Sequence, residues 1–407
     1  MTPVDYAKSQ VSSFLEEVGK LRDSEFPYPN SQTVVLEIEA VLVKQQEYLA
    51  KISATTDKQV IENLCASSVD AVSYYLPLLG FILRSTNVRN AFEIYGPLLH
   101  LVKTVLGTKT KLILSSEWSY SPFTYFGVNN LPEYVFIGFP APESSNPLLI
   151  PIAGHELGHS VWNVQSLRTK YAQRLEDSII NQIKARWSEY LKYFDDIKQE
   201  DLASDWVARQ TWEAALQWGL MQCEEAFCDL VGLRLFGESF LYSSAYLLSP
   251  SRLGQRSPEY PNTKRRIADL IEAANKYNIQ IPPEYSSQFE NISESQISLE
   301  VFLTSLADEA SLSVRNQMID EAKSILDGCN VIYSDSGKVL SLYESFKAAV
   351  PGSNAGCLAD ILNAAWKLEL DPSVLNYLTQ VHSKTAFIKE LVLKTIEVFE
   401  YEQILKA

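Results

Sequence analysis

The chain has 407 residues, with 35 lysine and arginine residues against 50 aspartate and glutamate residues, so its net charge is −15. This charge argues against a nucleic-acid partner and against an anionic membrane surface, because both would require a basic face. Apolar residues make up 46% of the chain and charged residues 21%, which is typical of a globular protein and excludes a disordered one. A chain of this length is too long for a single core, and we expect two or three structural units.

Signals for export or membrane insertion are weak in this sequence. The N-terminal residues lack the charged, apolar and small-residue pattern of a signal peptide. The most apolar run, Tyr74–Leu83, is short and contains a proline, so we expect no membrane span. The five cysteines are scattered and odd in number, which is typical of reduced thiols. These features predict a soluble, cytoplasmic protein.

Helical periodicity dominates the chain, with one interruption. Apolar residues recur at three- and four-residue spacing through most of the first hundred residues. Two short segments rich in β-branched and aromatic residues, Thr110–Ser116 and Glu133–Phe139, then predict strands. Helical patterns return from about Leu148 and again from about Ser298, so we predict a mainly α fold of the α+β class with a small sheet. The predicted regions are residues 1–108, 109–297 and 298–407.

The segment PIAGHELGHSVW, residues Pro151–Trp162, contains two of the four histidines of the chain. On a helix, His155 and His159 are one turn apart and share a face, so both imidazoles can bind one metal ion. Glu156 lies at the edge of that face, where it can reach a water molecule without binding the metal. This HExxH spacing predicts two zinc ligands and a general base. The alternative is a histidine pair on a solvated helix face.

A catalytic zinc ion usually has three protein ligands, and CEEAFCDLVGLRLFG, residues Cys223–Gly237, offers a candidate for the third. Glu225 and Asp229 are one helical turn apart. Glu225 can therefore bind the metal while Asp229 accepts a hydrogen bond from the free ring nitrogen of a liganding histidine. Glu224 is the competing ligand, but its face of the helix is apolar and has no second acid. Alternatively, the acids form a solvated face, although their apolar surroundings argue for a neutralising cation.

Glycines and the remaining histidines refine this prediction. Gly158 and Gly232 lack a side chain, so the two helices could approach closely at those positions. The cysteines that flank Glu225 are interpreted as buried, small apolar residues rather than ligands. His100 and His382 lie far from the motif in helical segments without a carboxylate pattern, so we interpret both as structural.

The combination of HExxH with a later ExxxD on a second helix resembles the gluzincin zinc metallopeptidases. The matching residues are His155, Glu156 and His159 in the first motif and Glu225 and Asp229 in the second. The long gap between the motifs is more similar to the CAAX-processing and heat-shock membrane peptidases than to the thermolysin type. The resemblance covers about residues 110–276 and implies a zincin-like catalytic unit that binds Zn2+.

Two weaker stretches extend the resemblance. Those peptidases carry His-Pro, four residues and Arg-Ile, and YPNTKRRI has this spacing with Tyr260 in place of the histidine. NNLPEYVFIGFP, residues Asn129–Pro140, resembles the strand that precedes the active-site helix, which would line the cleft and pair with an extended substrate. Those families have transmembrane helices, and we expect none in this sequence.

The resemblance implies a zinc-dependent peptidase in which a zinc-activated water attacks the peptide bond and Glu156 is the general base. Tyr260 is the first candidate for a hydrogen-bond donor to the oxyanion, although it could equally be a packing aromatic. Tyr246 and Arg266 are alternatives, and Arg266 could instead be a structural cation paired with an acid.

The expected partner of such an enzyme is a peptide or protein substrate. The alternative function is a zincin-like metal-binding regulatory or interaction protein without peptidase activity, because large helical regions flank a small site. Glu156 favours catalysis, since a structural zinc ion needs no base. A helical scaffold with a chance motif is the third possibility, and three matching elements in the expected order argue against it.

Overall fold

The structure is a computed structural model that describes residues 3–26, 28–53, 55–87, 92–117, 122–125, 128, 131–248, 257–289, 298–373 and 384–406. Fifteen α-helices and one three-stranded sheet are present in this part of the chain, which confirms the mainly α fold predicted from the sequence. The chain divides into two compact units. The first contains Met1–Tyr95 and Lys109–Ser145, and the second contains Gly96–Thr108 and Asn146–Ala407.

The first unit consists of three long helices and the sheet. Its elements in chain order are α1 (Pro3–Arg22), α2 (Pro29–Ala50), α3 (Lys58–Asn87), β1 (Lys111–Glu117), β2 (Phe123–Tyr125) and β3 (Tyr134–Pro140). β3 is the central strand, with β1 parallel to it on one side and β2 antiparallel on the other. Phe81 of α3 packs edge-on against Phe123 and Phe136 of the sheet, which joins helices and strands in one apolar core.

Both strands predicted from the sequence are present as β1 and β3, and the short β2 is an addition. The central place of β3 corrects one expectation. Its residues from Phe136 to Gly138 pair with β1 on one side and with β2 on the other. The resemblance implies that this strand pairs with an extended substrate. Because both of its edges are occupied from Phe136 to Gly138, these residues cannot do so.

Helix α3 is long and apolar enough between Lys58 and Arg84 to cross a membrane, by length and composition alone. Core helices of soluble proteins have the same properties, and α3 buries Tyr75, Phe81 and Ile82 in the core of the first unit. The absence of a membrane span therefore stays a prediction.

The second unit is entirely helical within the described residues. Its helices are α4 (Tyr95–Leu106), α5 (Ile152–Val164), α6 (Leu167–Ala185), α7 (Trp187–Tyr190), α8 (Trp206–Phe236), α9 (Glu238–Leu248), α10 (Thr263–Tyr277), α11 (Leu299–Ser313), α12 (Arg315–Gly328), α13 (Ser336–Lys347), α14 (Leu358–Leu370) and α15 (Lys384–Lys406). The longest, α8, packs against α5, α6, α10, α11 and α12. It is therefore the central element on which the other helices of this unit assemble.

Local chemistry fixes both ends of α8. The side chain of Asp205 accepts a hydrogen bond from the backbone N–H of Ala208 at 2.9 Å, which caps the first turn. The helix ends at Gly237, whose φ of 64° lies in the left-handed region that favours glycine. The 31 residues between these signals span about 46 Å, so one rigid rod carries all the acids of the second predicted motif.

The two units differ from the three regions predicted from the sequence. The strands belong with the N-terminal helices, because β1 and β3 share an apolar core with α2 and α3. The C-terminal helices belong with α8. Asn363 of α14 donates to the carbonyl of Phe236 at 3.1 Å and accepts from the N–H of Ser239 at 2.7 Å, so it ties α14 to the junction of α8 and α9.

A buried acid on α10 makes the stability of the second unit depend on pH. Asp269 accepts a hydrogen bond from Arg315 of α12 at 3.0 Å. Burial raises the pKa of Asp269 to about 6, although Arg315 opposes the shift. An aspartate in an unfolded chain titrates near pH 4, at about 3.9. The stability that this group contributes is therefore complete below about pH 4 and is lost as the pH rises through about 6.

We expect Asp269→Asn to remove this dependence, because asparagine has a similar shape and does not titrate. Relative to wild type, the free energy of unfolding of the variant should rise by up to about 3 kcal/mol between about pH 4 and pH 7. Thermal unfolding of both proteins across this range measures the effect. A stability difference that is independent of pH would contradict the prediction.

Candidate metal centre

Helices α5 and α8 cross in antiparallel directions and approach closely at glycines. A Cβ atom built on Gly154 would lie 2.9 Å from the Cα of Gly232, and one built on Gly158 would lie 2.6 Å from the Cα of Cys228. From Gly154 to Gly158 the chain moves forward along α5, while the residues in contact on α8 move backward from Gly232 to Cys228. Both glycines predicted from the sequence lie in tight contacts, but Gly232 meets Gly154, while Gly158 meets Cys228. The approach brings the HExxH residues against the acids of α8.

We expect Gly158→Ala to destabilise the protein by about 1 to 3 kcal/mol, because the new methyl group would meet the backbone of α8. Gly19→Ala is the matched control. Gly19 lies within α1, and outside the backbone of its own helix no atom of the described residues lies within 4 Å of an added Cβ. The substitution should therefore stabilise the helix by about 0.5 to 1 kcal/mol. Urea unfolding of the two variants and wild type compares these effects. Equal stability of the two variants would show that α5 and α8 are not in such close contact.

The two histidines of α5 direct the same ring nitrogen toward one carboxylate of α8. His155 Nε2 lies 3.4 Å from Glu225 Oε2, and His159 Nε2 lies 3.7 Å from Glu225 Oε1. The two rings are nearly perpendicular, at 82°, with their centroids 5.2 Å apart. Two imidazole nitrogens and one carboxylate therefore surround a common point, as a metal ion with these three ligands would require.

The other ring nitrogen of each histidine has its own acid. Nδ1 of His155 lies 2.9 Å from Asp229, and Nδ1 of His159 lies 2.9 Å from Glu224. A carboxylate ion only accepts hydrogen bonds, so these partners place a hydrogen on each Nδ1. Burial lowers the pKa of His155, but Asp229 and Glu225 outweigh burial and raise it to about 10, so its Nε2 also carries a hydrogen when no metal is bound. A metal ion would displace that hydrogen and bind the Nε2 lone pair. Both lone pairs then face Glu225.

Glu224 has a different role from the one considered for it in the sequence. The sequence offers it as a competitor of Glu225 for the metal or as part of a solvated acidic face, but in the structure it contacts the ring nitrogen of His159 that faces away from Glu225. Sequence spacing along α8 could not reveal this contact, because it depends on how α5 crosses α8. The only sign of this pairing in the sequence was the presence of two adjacent acids, Glu224 and Glu225, beside a motif with two histidines.

Arg266 of α10 completes the group around Asp229. Its Nη2 donates to Asp229 Oδ1 at 2.7 Å, and its Nε donates to the other oxygen of the same carboxylate. Burial raises the pKa of Asp229, but the charge of Arg266 and the contact with His155 outweigh burial and lower that pKa to about 2. Arg266 thus has the structural pairing with an acid that the sequence offered as one interpretation, and it keeps Asp229 ionised.

Glu156, the predicted base, is 3% exposed. Burial raises the pKa of its carboxyl group, while the charges of His155 and His159 lower it. A carboxyl group with a raised pKa holds a proton more tightly, which is the property that a general base near neutral pH requires.

A second set of possible metal ligands includes a thiol. Ligand atoms of His155, His159 and Cys228 lie within 4.8 Å of one another, so this cluster could hold a metal ion. However, burial raises the pKa of the Cys228 thiol well above its usual range, and its Sγ packs against Gly158 in the helix contact. Because the two carboxylate oxygens of Glu225 face the two Nε2 atoms, whereas the Cys228 sulfur packs in the helix contact, the geometry favours Glu225 over Cys228 as the third ligand.

The remaining residues considered from the sequence are two tyrosines and two histidines outside helices α5 and α8. Tyr260 is 50% exposed in the loop before α10, where burial raises the pKa of its phenol and the negative charge of Glu225 adds to that shift. Tyr246 is 46% exposed on α9, and His100 is exposed on α4, remote in sequence from the motif. His382 lies outside the described residues.

No protein-family model matches this chain, and comparisons with curated proteins and with solved structures give no match. The resemblance to the gluzincins therefore rests on the motif residues alone.

Proposed function

We propose that this protein is a zinc-dependent peptidase of the gluzincin type. One observation carries the proposal: Nε2 of His155 and Nε2 of His159 both face Glu225, while each Nδ1 is paired with a separate acid. Imidazole nitrogens that are oriented by carboxylates are typical of zinc ligands.

The chemistry of the donors fits zinc better than calcium or magnesium. Two neutral imidazoles and one carboxylate match the three-ligand set of catalytic zinc sites, whereas calcium and magnesium prefer oxygen donors. Among the described residues, Glu224, Glu225, Asp229 and Glu156 place four acids around the centre, together with the guanidinium of Arg266. This excess of negative charge favours a divalent cation.

In this proposal each residue of the centre has a chemical role. A bound zinc ion would polarise the scissile carbonyl group and a water molecule. Glu156 accepts the proton of that water and passes it to the leaving amine. Tyr260 donates a hydrogen bond to the developing oxyanion. Asp229 and Glu224 hold His155 and His159 in position.

The test compares wild type with His155→Ala, and with His100→Ala as a matched control that removes an exposed histidine from α4. We expect about one zinc per chain in wild type and in the control, and little zinc in His155→Ala, by elemental mass spectrometry. Only the two zinc-containing proteins should cleave a mixture of unfolded proteins. Absence of zinc from wild type after incubation with zinc would overturn the proposal.

The same experiment separates the alternative function. Zinc in wild type without cleavage of any protein in the mixture would favour a metal-binding regulatory or interaction protein. Burial of Glu156 beside the histidines supports the peptidase, because a structural metal site gains nothing from a buried base.

A further inference from the structure

The loop that carries Tyr260 is attached to α8 at two points. Nε2 of Gln222 donates to the carbonyl oxygen of Pro258 at 2.8 Å. Further along, Arg266 binds Asp229 through two hydrogen bonds. The two attachment points on α8 are seven residues apart, which corresponds to about 10 Å of helix. Tyr260 lies between them in the loop.

Glu225 lies between the same two points on α8, so Tyr260 and Glu225 belong to facing segments held at both ends. The N–H of Tyr260 donates to the carbonyl of Ser257 at 3.1 Å, which folds residues 257–260 into a turn that contains the first attachment point, Pro258. The two attachments and this turn therefore hold the backbone of Tyr260 opposite the segment of α8 that carries Glu225, the third proposed ligand.

Gln222 is 1% exposed, and both ends of its amide are paired. In addition to the bond with Pro258, its Oε1 accepts a hydrogen bond from Ser311 of α11 at 3.1 Å. An apolar residue would fill this space without any polar group to satisfy. The amide is therefore best explained by the carbonyl that it holds.

We propose that Gln222 is a positioning residue for the peptidase reaction, because its amide fixes the Pro258 carbonyl and thereby holds the loop segment that carries Tyr260 opposite Glu225. This inference rests on the proposed function, in which Tyr260 donates a hydrogen bond to the oxyanion. Gln222 itself does not touch the reacting atoms.

The experiment combines kinetics with hydrogen exchange on the full zinc-loaded chain. It compares wild type, Gln222→Met, Tyr260→Phe and the double variant on one fluorogenic peptide, whose sequence spans a bond that wild type cleaves. Gln217→Met is the matched control, since Gln217 lies on the same helix and pairs with Arg168 and Glu213. Ser311→Ala is a milder second variant, which removes only the hydroxyl that holds the Gln222 amide.

We expect Gln222→Met to lower kcat about tenfold, with little change in KM and unchanged zinc content, since an interaction of the transition state is lost. In the Tyr260→Phe background the same substitution should have almost no further effect, because the two residues act as one unit. The backbone amide of Tyr260 should exchange about tenfold faster in Gln222→Met than in wild type or the control. Ser311→Ala should change kcat and exchange in the same direction and by less.

Independent effects of Gln222→Met and Tyr260→Phe on kcat, or unchanged exchange at Tyr260, would overturn the inference while leaving the peptidase proposal intact. Loss of zinc from Gln222→Met would also overturn it, since the residue would then support the metal site itself. Failure of wild type to cleave any peptide would instead overturn the proposed function and the catalytic part of this inference together.

Discussion

Glu156→Gln should abolish peptide cleavage while zinc stays bound. Glutamine has nearly the same shape as glutamate, but it cannot accept the proton of the attacking water, so kcat should fall on the order of a thousandfold. Glu156 is not among the groups that face the Nε2 atoms of the histidines, and its loss should leave the zinc content unchanged. Cleavage of unfolded protein and elemental analysis of the same sample measure both effects.

The control for this variant is Glu213→Gln, which also removes one negative charge from the second unit. Glu213 lies on α8, twelve positions before Glu225, and pairs with Arg209. That separation is about 18 Å along the helix, so cleavage should be unaffected. An unfolded Glu156→Gln would be recognised by a lower thermal midpoint. A folded, zinc-bound and fully active variant would exclude Glu156 as the base.

Arg266→Met should have the largest effect on stability, because it leaves the buried carboxylate of Asp229 without its cation. Removal of one partner from a buried ion pair costs about 3 to 5 kcal/mol. Asp229 also orients His155, so the zinc affinity should fall about 10- to 100-fold. Chemical unfolding of the metal-free protein and a zinc titration measure these two consequences separately.

Lys264→Met is the matched control, since it removes one positive charge from an exposed position of the same helix. It should change stability by less than about 0.5 kcal/mol. Adding Asp229→Asn to Arg266→Met should recover part of the lost stability, because both charges of the pair are then absent. If Arg266→Met and Lys264→Met were equally stable, the ion pair would contribute nothing to the fold.

Much of the centre could be predicted from the sequence, because its motifs depend on helical spacing. His155 and His159 share a face at four-residue spacing, and Glu225 and Asp229 do so on a second helix. The sequence predicted that Asp229 contacts the second ring nitrogen of a liganding histidine, without specifying which one. In the structure this histidine is His155. The functional consequence of these residues stays a prediction until zinc and cleavage are measured.

Other features depend on contacts between segments that are distant in sequence. The pairing of Glu224 with His159 requires knowledge of the direction in which α5 crosses α8. The central position of β3 depends on β2, which has three residues and is too short for a reliable periodic pattern. The grouping of the strands with the N-terminal helices follows from a shared core that no local pattern describes.

The sequence by itself determined the helical fold class, the HExxH helix and the acid-bearing helix, because each depends on the repeat of 3.6 residues per turn. Only the tertiary structure decided which atoms meet. Glycines at Gly154 and Gly158 let two antiparallel helices approach, and this crossing directs both Nε2 atoms to Glu225 and each Nδ1 to a different acid. Spacing along one helix defines a face, but the partner of that face is set by packing between helices.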